Sequence, residues 1–287
     1  MSGIDLPSLK GDIARWLVED IGHGDITSEL TIEDEALATG VLVAKQSGIV
    51  AGLDVAREVF VFLEESFEFR KRVADGQRVD KGEVIAELSG SAKAMLKGER
   101  LALNLLQRMS GIATMTSAFV AETQGTKAKI LDSRKTTPGL RSLEKYAVRM
   151  GGGYNHRFGL FDGILIKDNH IVAAGSVFKA TKRAVENAPH HLVVEVEVGT
   201  IAELNEALEA GAGCVLLDNM TTSDMAQAVE VVDGRIPIEA SGNMTLPRIR
   251  EVALCGVDLI SVGALTHSAT AVDISLDFSL GKSAEIE

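Results

Sequence analysis

From Lys129 onward the sequence repeats one unit: a short apolar run closing on polar residues, then an amphipathic stretch. The apolar runs fall at 129–133, 163–167, 192–198, 214–218, 236–240 and 258–262, with helical periodicity at about 175–187, 200–210, 221–232 and 245–255. Ser176, Thr200, Thr221 or Thr222, and Thr245 stand where hydroxyl caps open such helices. Strands alternating with helices at this pitch give βα units, a parallel sheet and right-handed crossovers. A composition of 46% apolar but only 4% aromatic residues agrees with helices packed on parallel strands. Six strands are legible, and a seventh could lie within 133–160. An open or incomplete β/α barrel fits better than a doubly wound sheet, because every strand closes on residues of functional type. Those ends are Ser133-Arg134-Lys135, Lys167-Asp168, Glu197, Asp218-Asn219, Ser241-Gly242-Asn243 and Gly263-Ala264. In β/α barrels the carboxyl ends of the strands form the active face.

The first part of the chain has a different texture. Leu9, Ile13, Trp16 and Leu17 recur at helical spacing. Short strand-like runs follow at 39–43, 48–51, 68–73 and 83–88, with turn signals at Asp75-Gly76 and Lys81-Gly82. From Ser91 to about Gly125 the pattern is helical, with Leu101, Leu105 and Met109 on one stripe. The expected domains are therefore 1–114, a small mixed α/β domain, and 115–274, the barrel. The net charge of −12 argues against nucleic acid as the main partner. Cys214 and Cys255 have no metal-ligand spacing and read as thiols of a reducing compartment. Neither a signal peptide nor an apolar run of ~18 residues is present, so a soluble cytoplasmic protein is expected.

Against that acidic background, the window from Lys127 to Lys167 holds nine Lys and Arg and three acids, a balance of +6. Clustered Arg and Lys beside Ser, Thr, Gly and His suit a pocket for a small polyanion bearing carboxylates or phosphates. A solvated basic face is the common alternative. It is disfavoured because the charges are broken up by Gly151-Gly152-Gly153 and His156 and lead into an apolar strand, not an amphipathic helix. Arg134 and Arg157 offer bidentate forks, Lys135 and Lys167 point charges, and His156 a further donor. Glu197 and Asp218 are two acids on a cationic rim, suited to a divalent metal or a developing positive charge. Ser241-Gly242-Asn243 and Val262-Gly263-Ala264 follow late strands, where backbone N–H groups of barrel enzymes meet phosphate. Singly, each has a plainer explanation: Lys167 a salt-bridge partner, Asp218 a cap, Gly263 a packing residue. His170, His190 and His191 read as capping or surface histidines. Joint occurrence is what favours a site.

The run SRKTTPGLRSLEKYAVRMGGGYNHRFGLFDGILIKDNH resembles the signature of the quinolinate phosphoribosyltransferases, the decarboxylating nicotinate-nucleotide pyrophosphorylases. Further matches are EDIGHGDITSE at 19–29, ERLALNLLQRMSGIAT at 99–114, EVEV at 195–198, LLDN at 216–219, SGN at 241–243 and SVGALTHS at 261–268. Ser133 stands where the family commonly has Thr, which keeps a hydroxyl. The resemblance implies an N-terminal α/β domain, an incomplete seven-stranded β/α barrel of the type II phosphoribosyltransferase kind, and a C-terminus, 275–287, packing back on the first domain. It implies quinolinate held by Arg134, Lys135, His156, Arg157 and Lys167, with Ser133 among the substrate-binding residues and Arg100 contributed by the neighbouring subunit of a homodimer. Glu197 and Asp218 would lie near the ribose and Mg²⁺ of 5-phosphoribosyl-1-pyrophosphate, with metal contacts direct or through the pyrophosphate. The loops Ser241, Gly242, Asn243 and Val262, Gly263, Ala264 would take its 5-phosphate. Catalysis would centre on Lys135, Glu197 and Asp218.

Two alternatives remain at the sequence level. One is a related phosphoribosyltransferase acting on nicotinate or another heterocycle; a pocket reading one carboxylate would not need two arginines, two lysines and a histidine. The other is a binding module, since 73–99 resembles the hammerhead turn of biotinyl or lipoyl carrier domains. The modified lysine expected in a tight exposed hairpin is absent there, and Lys93 and Lys97 lie in helical sequence.

Overall fold

The structure is a computed structural model and describes residues 4–280. In chain order the elements are α1 (Leu6–Ile21), α2 (Ile26–Thr31), β1 (Leu37–Ala44), β2 (Gly48–Ile49), α3 (Leu53–Leu63), β3 (Glu68–Lys71), β4 (Arg78–Val79), β5 (Val84–Ser91) and α4 (Ala92–Ala121). They continue with β6 (Lys129–Leu131), α5 (Arg141–Met150), β7 (Ile164–Ile166), α6 (Asp168–Ala174), α7 (Val177–Asn187), β8 (Val194–Val198), α8 (Ile201–Glu209) and β9 (Cys214–Asp218). The last are α9 (Thr222–Val232), β10 (Ile238–Ser241), α10 (Leu246–Leu254), β11 (Leu259–Ser261), α11 (Ala264–His267) and β12 (Ile274–Leu280). Two compact units form: one from the chain up to Met115 with Ser142–Gly152 and the segment from Ala269 on, the other from Thr116–Arg141 and Gly153–Ser268.

The first unit is built on an antiparallel sheet in the order β12-β1-β5-β3, with Gly40 opposite Phe278 and Leu88. The C-terminal strand β12 thus lies against β1 as far as Leu280, and 281–287 fall outside the described residues. Helix α1 buries Leu9, Ile13 and Leu17, one stripe at i, i+4 and i+8. The sequence expectation does not include α3, whose VFVFL run carries the β-branched and aromatic residues of a strand. Its N-terminus is fixed from 22 residues away: the Asp75 carboxylate accepts the Leu53 N–H at 3.1 Å and the Gly52 N–H at 3.0 Å. Tyr146 of α5 donates to the same carboxylate at 2.7 Å, and burial holds its phenol well above the ordinary value. Lys93 and Lys97 sit on α4, paired with Asp34 and Glu29, and not at the tip of a hairpin.

The second unit holds a six-stranded parallel sheet in the order β6-β11-β10-β9-β8-β7. The seventh strand implied by the resemblance is reduced to an isolated parallel bridge between Leu131 and Tyr154. Helices return the chain between strands, and Ser176, Thr200 and Thr221 accept from Lys179, Glu203 and Asp224 backbone N–H groups as caps. Thr245 precedes α10 without a side-chain cap, and Pro247 stands in the first turn of that helix, where its missing N–H costs no hydrogen bond. The segment 133–160 contains α5, where Arg141, Lys145 and Arg149 fall at i, i+4 and i+8. The window's charges are therefore partly on a helix, contrary to the sequence expectation. Among the described residues no helix is long and apolar enough to cross a membrane.

Candidate active site

A cavity of about 570 Å³ opens over the carboxyl ends of the parallel strands. Its lining takes Ser133, Arg134 and Lys135 from beyond β6, His156 and Arg157 from the segment before β7, and Lys167 from after β7. It takes Glu197 from β8, Asp218 and Asn219 from the end of β9, Glu239, Ser241, Gly242 and Asn243 from β10 and its loop, Ser261 from β11 and Gly263 from the turn after it. Twelve of the fifteen residues expected from sequence meet here. Val262 is fully buried and gives its N–H to Leu131 O at 2.9 Å, so neither its side chain nor that N–H faces a ligand. Ala264 starts α11 outside the lining, and Arg100 lies exposed on α4 in the first unit.

Only four of the window's nine cations line the cavity. Lys127 pairs with Asp258 at 2.7 Å, Lys129 covers the Tyr154 ring at 4.9 Å, and Arg149 lies 5.6 Å from the Tyr146 ring. Arg141 braces the mouth, donating to Thr136 Oγ1 at 2.9 Å, Phe158 O at 3.1 Å and Arg134 O at 3.3 Å. Lys145 is buried in the first unit. Of the four that remain, Lys167 is in an ion pair with a carboxylate. Arg134 Nε is buried without a hydrogen-bond partner. Burial, and then the neighbouring Arg134, lower the proton affinity of the Arg157 guanidinium, whose Nη1 donates to Gly163 O at 2.9 Å. Lys167 Nζ meets Glu197 Oε2 at 3.1 Å, and Thr266 holds the Lys135 carbonyl at 2.8 Å. His170 Nδ1 accepts the Lys167 N–H at 3.0 Å, which makes it a cap of α6.

The loops after β9 and β10 are one interlocked device. Asn219, Gly242 and Asn243 all have positive φ, at 53°, 88° and 49°. Asn243 Nδ2 donates to Asn219 Oδ1 at 3.0 Å, and the Asn219 N–H reaches Ser241 O at 3.1 Å. Arg248, which the sequence reading did not single out, ties both loops by donating to Gly242 O at 3.2 Å and Met220 O at 2.7 Å. A Cβ on Gly242 would lie 2.3 Å from Asn219 Oδ1 and 2.8 Å from Asn219 N. Gly242→Ala should therefore lower stability by roughly 1–3 kcal/mol and disturb the loop. Thermal denaturation checks the first effect; an unchanged melting temperature would show that the loop is not constrained in this way.

Below the rim, His156 joins two carboxylates that the sequence reading did not single out as site residues. His156 Nε2 is 3.2 Å from Glu195 Oε2 and 3.6 Å from Glu239 Oε2. Burial, and then the adjacent Glu195, push the Glu239 carboxyl up to about 7. Asp132, fully buried, accepts the His156 N–H at 2.9 Å and Asn155 Nδ2 at 2.6 Å.

Comparison with known proteins settles the family. The model of the quinolinate phosphoribosyl transferase N-terminal domain matches residues 25–110, and that of the C-terminal domain matches 112–277. The chain belongs to the quinolinate phosphoribosyltransferase family. It is 48% identical to a probable nicotinate-nucleotide pyrophosphorylase (carboxylating) of Bacillus subtilis, covering 95% of this chain and 94% of that one. It is 42% identical to quinolinate phosphoribosyltransferase (decarboxylating) 1b of Nicotiana tabacum, covering 93% and 81%. The crystal structure of NadC from Streptococcus pyogenes superposes with a TM-score of 0.94 at 40% identity, covering 97% of this chain and 99% of that one.

Proposed function

We propose that this chain transfers the phosphoribosyl group of 5-phosphoribosyl-1-pyrophosphate to quinolinate with decarboxylation. The products are nicotinate mononucleotide, CO2 and pyrophosphate, a step of NAD biosynthesis. The observation that carries this reading is the Arg134–Arg157 pair. Arg134 lies close enough to lower the proton affinity of Arg157, and Arg134 Nε is a buried donor left unsatisfied. A ligand with adjacent carboxylates relieves the repulsion and supplies the missing acceptor.

In this reading Ser133, Arg134, Lys135, His156, Arg157 and Lys167 receive quinolinate, and the Ser241–Asn243 loop with Gly263 receives the 5-phosphate. Departure of pyrophosphate leaves positive charge at the anomeric carbon, which Glu197 and Asp218 stabilise. The pyridine nitrogen attacks that carbon. Its new positive charge then stabilises the electron pair left on the ring when the neighbouring carboxylate leaves as CO2, and that carbon takes up a proton from solvent to give nicotinate mononucleotide. The work of the protein is mainly to orient two polyanions against each other. Glu197 and Asp218 are hard oxygen donors, but Glu197 already pairs with Lys167, so Mg²⁺ fits best as an ion carried by the pyrophosphate with these carboxylates around it. When bound it neutralises the leaving group. The working unit on this reading is a homodimer in which Arg100 reaches the partner's cavity. Both cysteines are free thiols, as suits a cytoplasmic protein.

With quinolinate, CO2 and pyrophosphate should appear in equal amounts. Nicotinate, lacking one carboxylate, should show kcat/KM lower by roughly two orders of magnitude or more, because the site's cations would be left unpaired. Comparable turnover of nicotinate without CO2 release would overturn the assignment.

A further inference from the structure

The His156–Glu195–Glu239 group is more specific in its geometry than a dianion pocket requires. Arg157 N–H donates to His156 Nδ1 at 2.7 Å, so that nitrogen presents its lone pair and the ring hydrogen sits on Nε2. The Nε2–H then points between Glu195 Oε2 and Glu239 Oε2. This tautomer does not suit a metal ion, although the three side chains offer ligand atoms within 4.8 Å of one another. A ligating Nε2 needs its own lone pair, and a metal-bound imidazole donates from its other nitrogen.

One N–H cannot satisfy two carboxylates. Glu239 is only 1% exposed, and its Oε1 has no hydrogen-bond partner. An ionised carboxylate in that position is strongly disfavoured. The groups facing it are known from each neighbouring element. Glu195 of β8 is the acid beside it, and the Cys214 thiol of β9 lies against Glu195 Oε1 at 3.5 Å. Ser261 of β11 hydrogen-bonds to the Glu239 side chain and favours its ionised form, a smaller effect than burial and Glu195, and Asp132 beyond β6 is engaged with His156 N–H and Asn155. The cations Arg134 and Arg157 line the cavity above.

We propose that Glu239 serves this site as an un-ionised acid. It keeps one proton in the floor of the cavity, so that Glu195 and Glu239 together carry one negative charge. His156 stays in its Nε2–H form, and its Nδ1 holds the Arg157 backbone where the guanidinium can clamp a carboxylate. Glu239 is thus a positioning residue; nothing requires it to touch substrate. The inference rests on the quinolinate reading given above.

The physical consequence is a charge-state control on binding. Quinolinate arrives as a dianion over this floor, and a second charge beneath it repels it. The sign follows from the direction in which Glu239 is shifted. Below neutrality the proton is retained and binding is strong; as pH rises past about 7, Glu239 ionises and binding weakens.

The test measures kcat and KM for quinolinate with the full-length enzyme at about pH 6 and about pH 8.5, in the parent and in Glu239→Gln. The amide keeps the shape and stays neutral. The parent's KM should rise on the order of tenfold between the two conditions, with a much smaller change in kcat. In Glu239→Gln the ratio of the two KM values should fall to about one. The same alkaline rise in the glutamine variant would overturn the proposal. Difference infrared spectroscopy without substrate gives an independent reading. A carboxylic C=O band present in the parent at about pH 6, lost at about pH 8.5 and missing from Glu239→Gln is expected. A parent without that band at the lower pH overturns the proposal. Should the enzyme not turn over quinolinate at all, the functional reading fails, while the infrared band still decides where the proton sits.

Discussion

Arg157→Ala should weaken quinolinate binding by roughly 30- to 5,000-fold, the equivalent of about 2–5 kcal/mol for truncating one member of a buried charge pair. The guanidinium is partly buried, and its Nη1 is anchored on Gly163 O at 2.9 Å, which aims the rest of the fork. A Cβ at Gly163 would come within 3.1 Å of Arg157 Cβ, so the stem also runs closely along that turn. Removing Arg157 relieves the repulsion on Arg134, an opposing effect. It is smaller, because a solvent-filled cavity screens the two cations when no substrate is bound. Arg157→Lys should recover little of the loss, since an ammonium offers one point charge where the fork offers two parallel N–H groups. Isothermal titration with quinolinate reads both variants, and binding at the parental level by the alanine variant would remove Arg157 from the clamp.

Most of the parallel sheet is legible in the sequence because its determinants are local. Each strand is a run of Val, Ile and Leu closing on polar residues, as in VEVEVGT and CVLLDNM. The elements that escape the reading are those whose determinants lie far away in sequence. Helix α3 is started by Asp75, and α5 is fixed to its unit by Tyr146 on that same carboxylate and by Arg108 donating to Glu144 at 2.9 Å. The charged window overstates the pocket for a similar reason. Spacing does not reveal that Lys127 is matched by Asp258 or that Lys145 is buried and belongs to the first unit.

The site divides in the same way. Residues at strand ends are found because the architecture brings those ends together. Glu195 and Glu239 are missed because they sit inside strands, where an acid reads as an outward-facing residue. One signal was available. Glu195 and Glu197 alternate with Val194, Val196 and Val198, so both acids share one face while buried valines take the other. A strand with valines buried on the face packed against helices directs its acids into the barrel interior, and two acids there call for protons or cations.

Arg100→Ala should abolish most activity in the homodimer, and its defect should be rescued by a partner whose barrel is dead. Arg100 is exposed on α4, next to Leu101 and Leu105, and does not line the cavity. An exposed arginine on a helix is commonly no more than a solvated charge. The proposed homodimer would give it a use: a two-fold pair would lay each N-terminal domain on its partner's barrel, and an isologous contact would close both sites at once. Lys135→Ala supplies the complementary lesion, since Lys135 lines the cavity. Mixed at equal ratio and allowed to exchange, the two variants form heterodimers as about half of the population. In each heterodimer one cavity combines the intact Lys135 of one chain with the intact Arg100 of the other, and the second cavity lacks both. About a quarter of all sites should therefore recover. If Arg100 acted on its own chain's cavity, every site would lack one residue or the other and no mixture would regain activity. Absence of recovery after mass spectrometry has confirmed exchange would refute the shared site, and recovery near a quarter would place Arg100 across the interface.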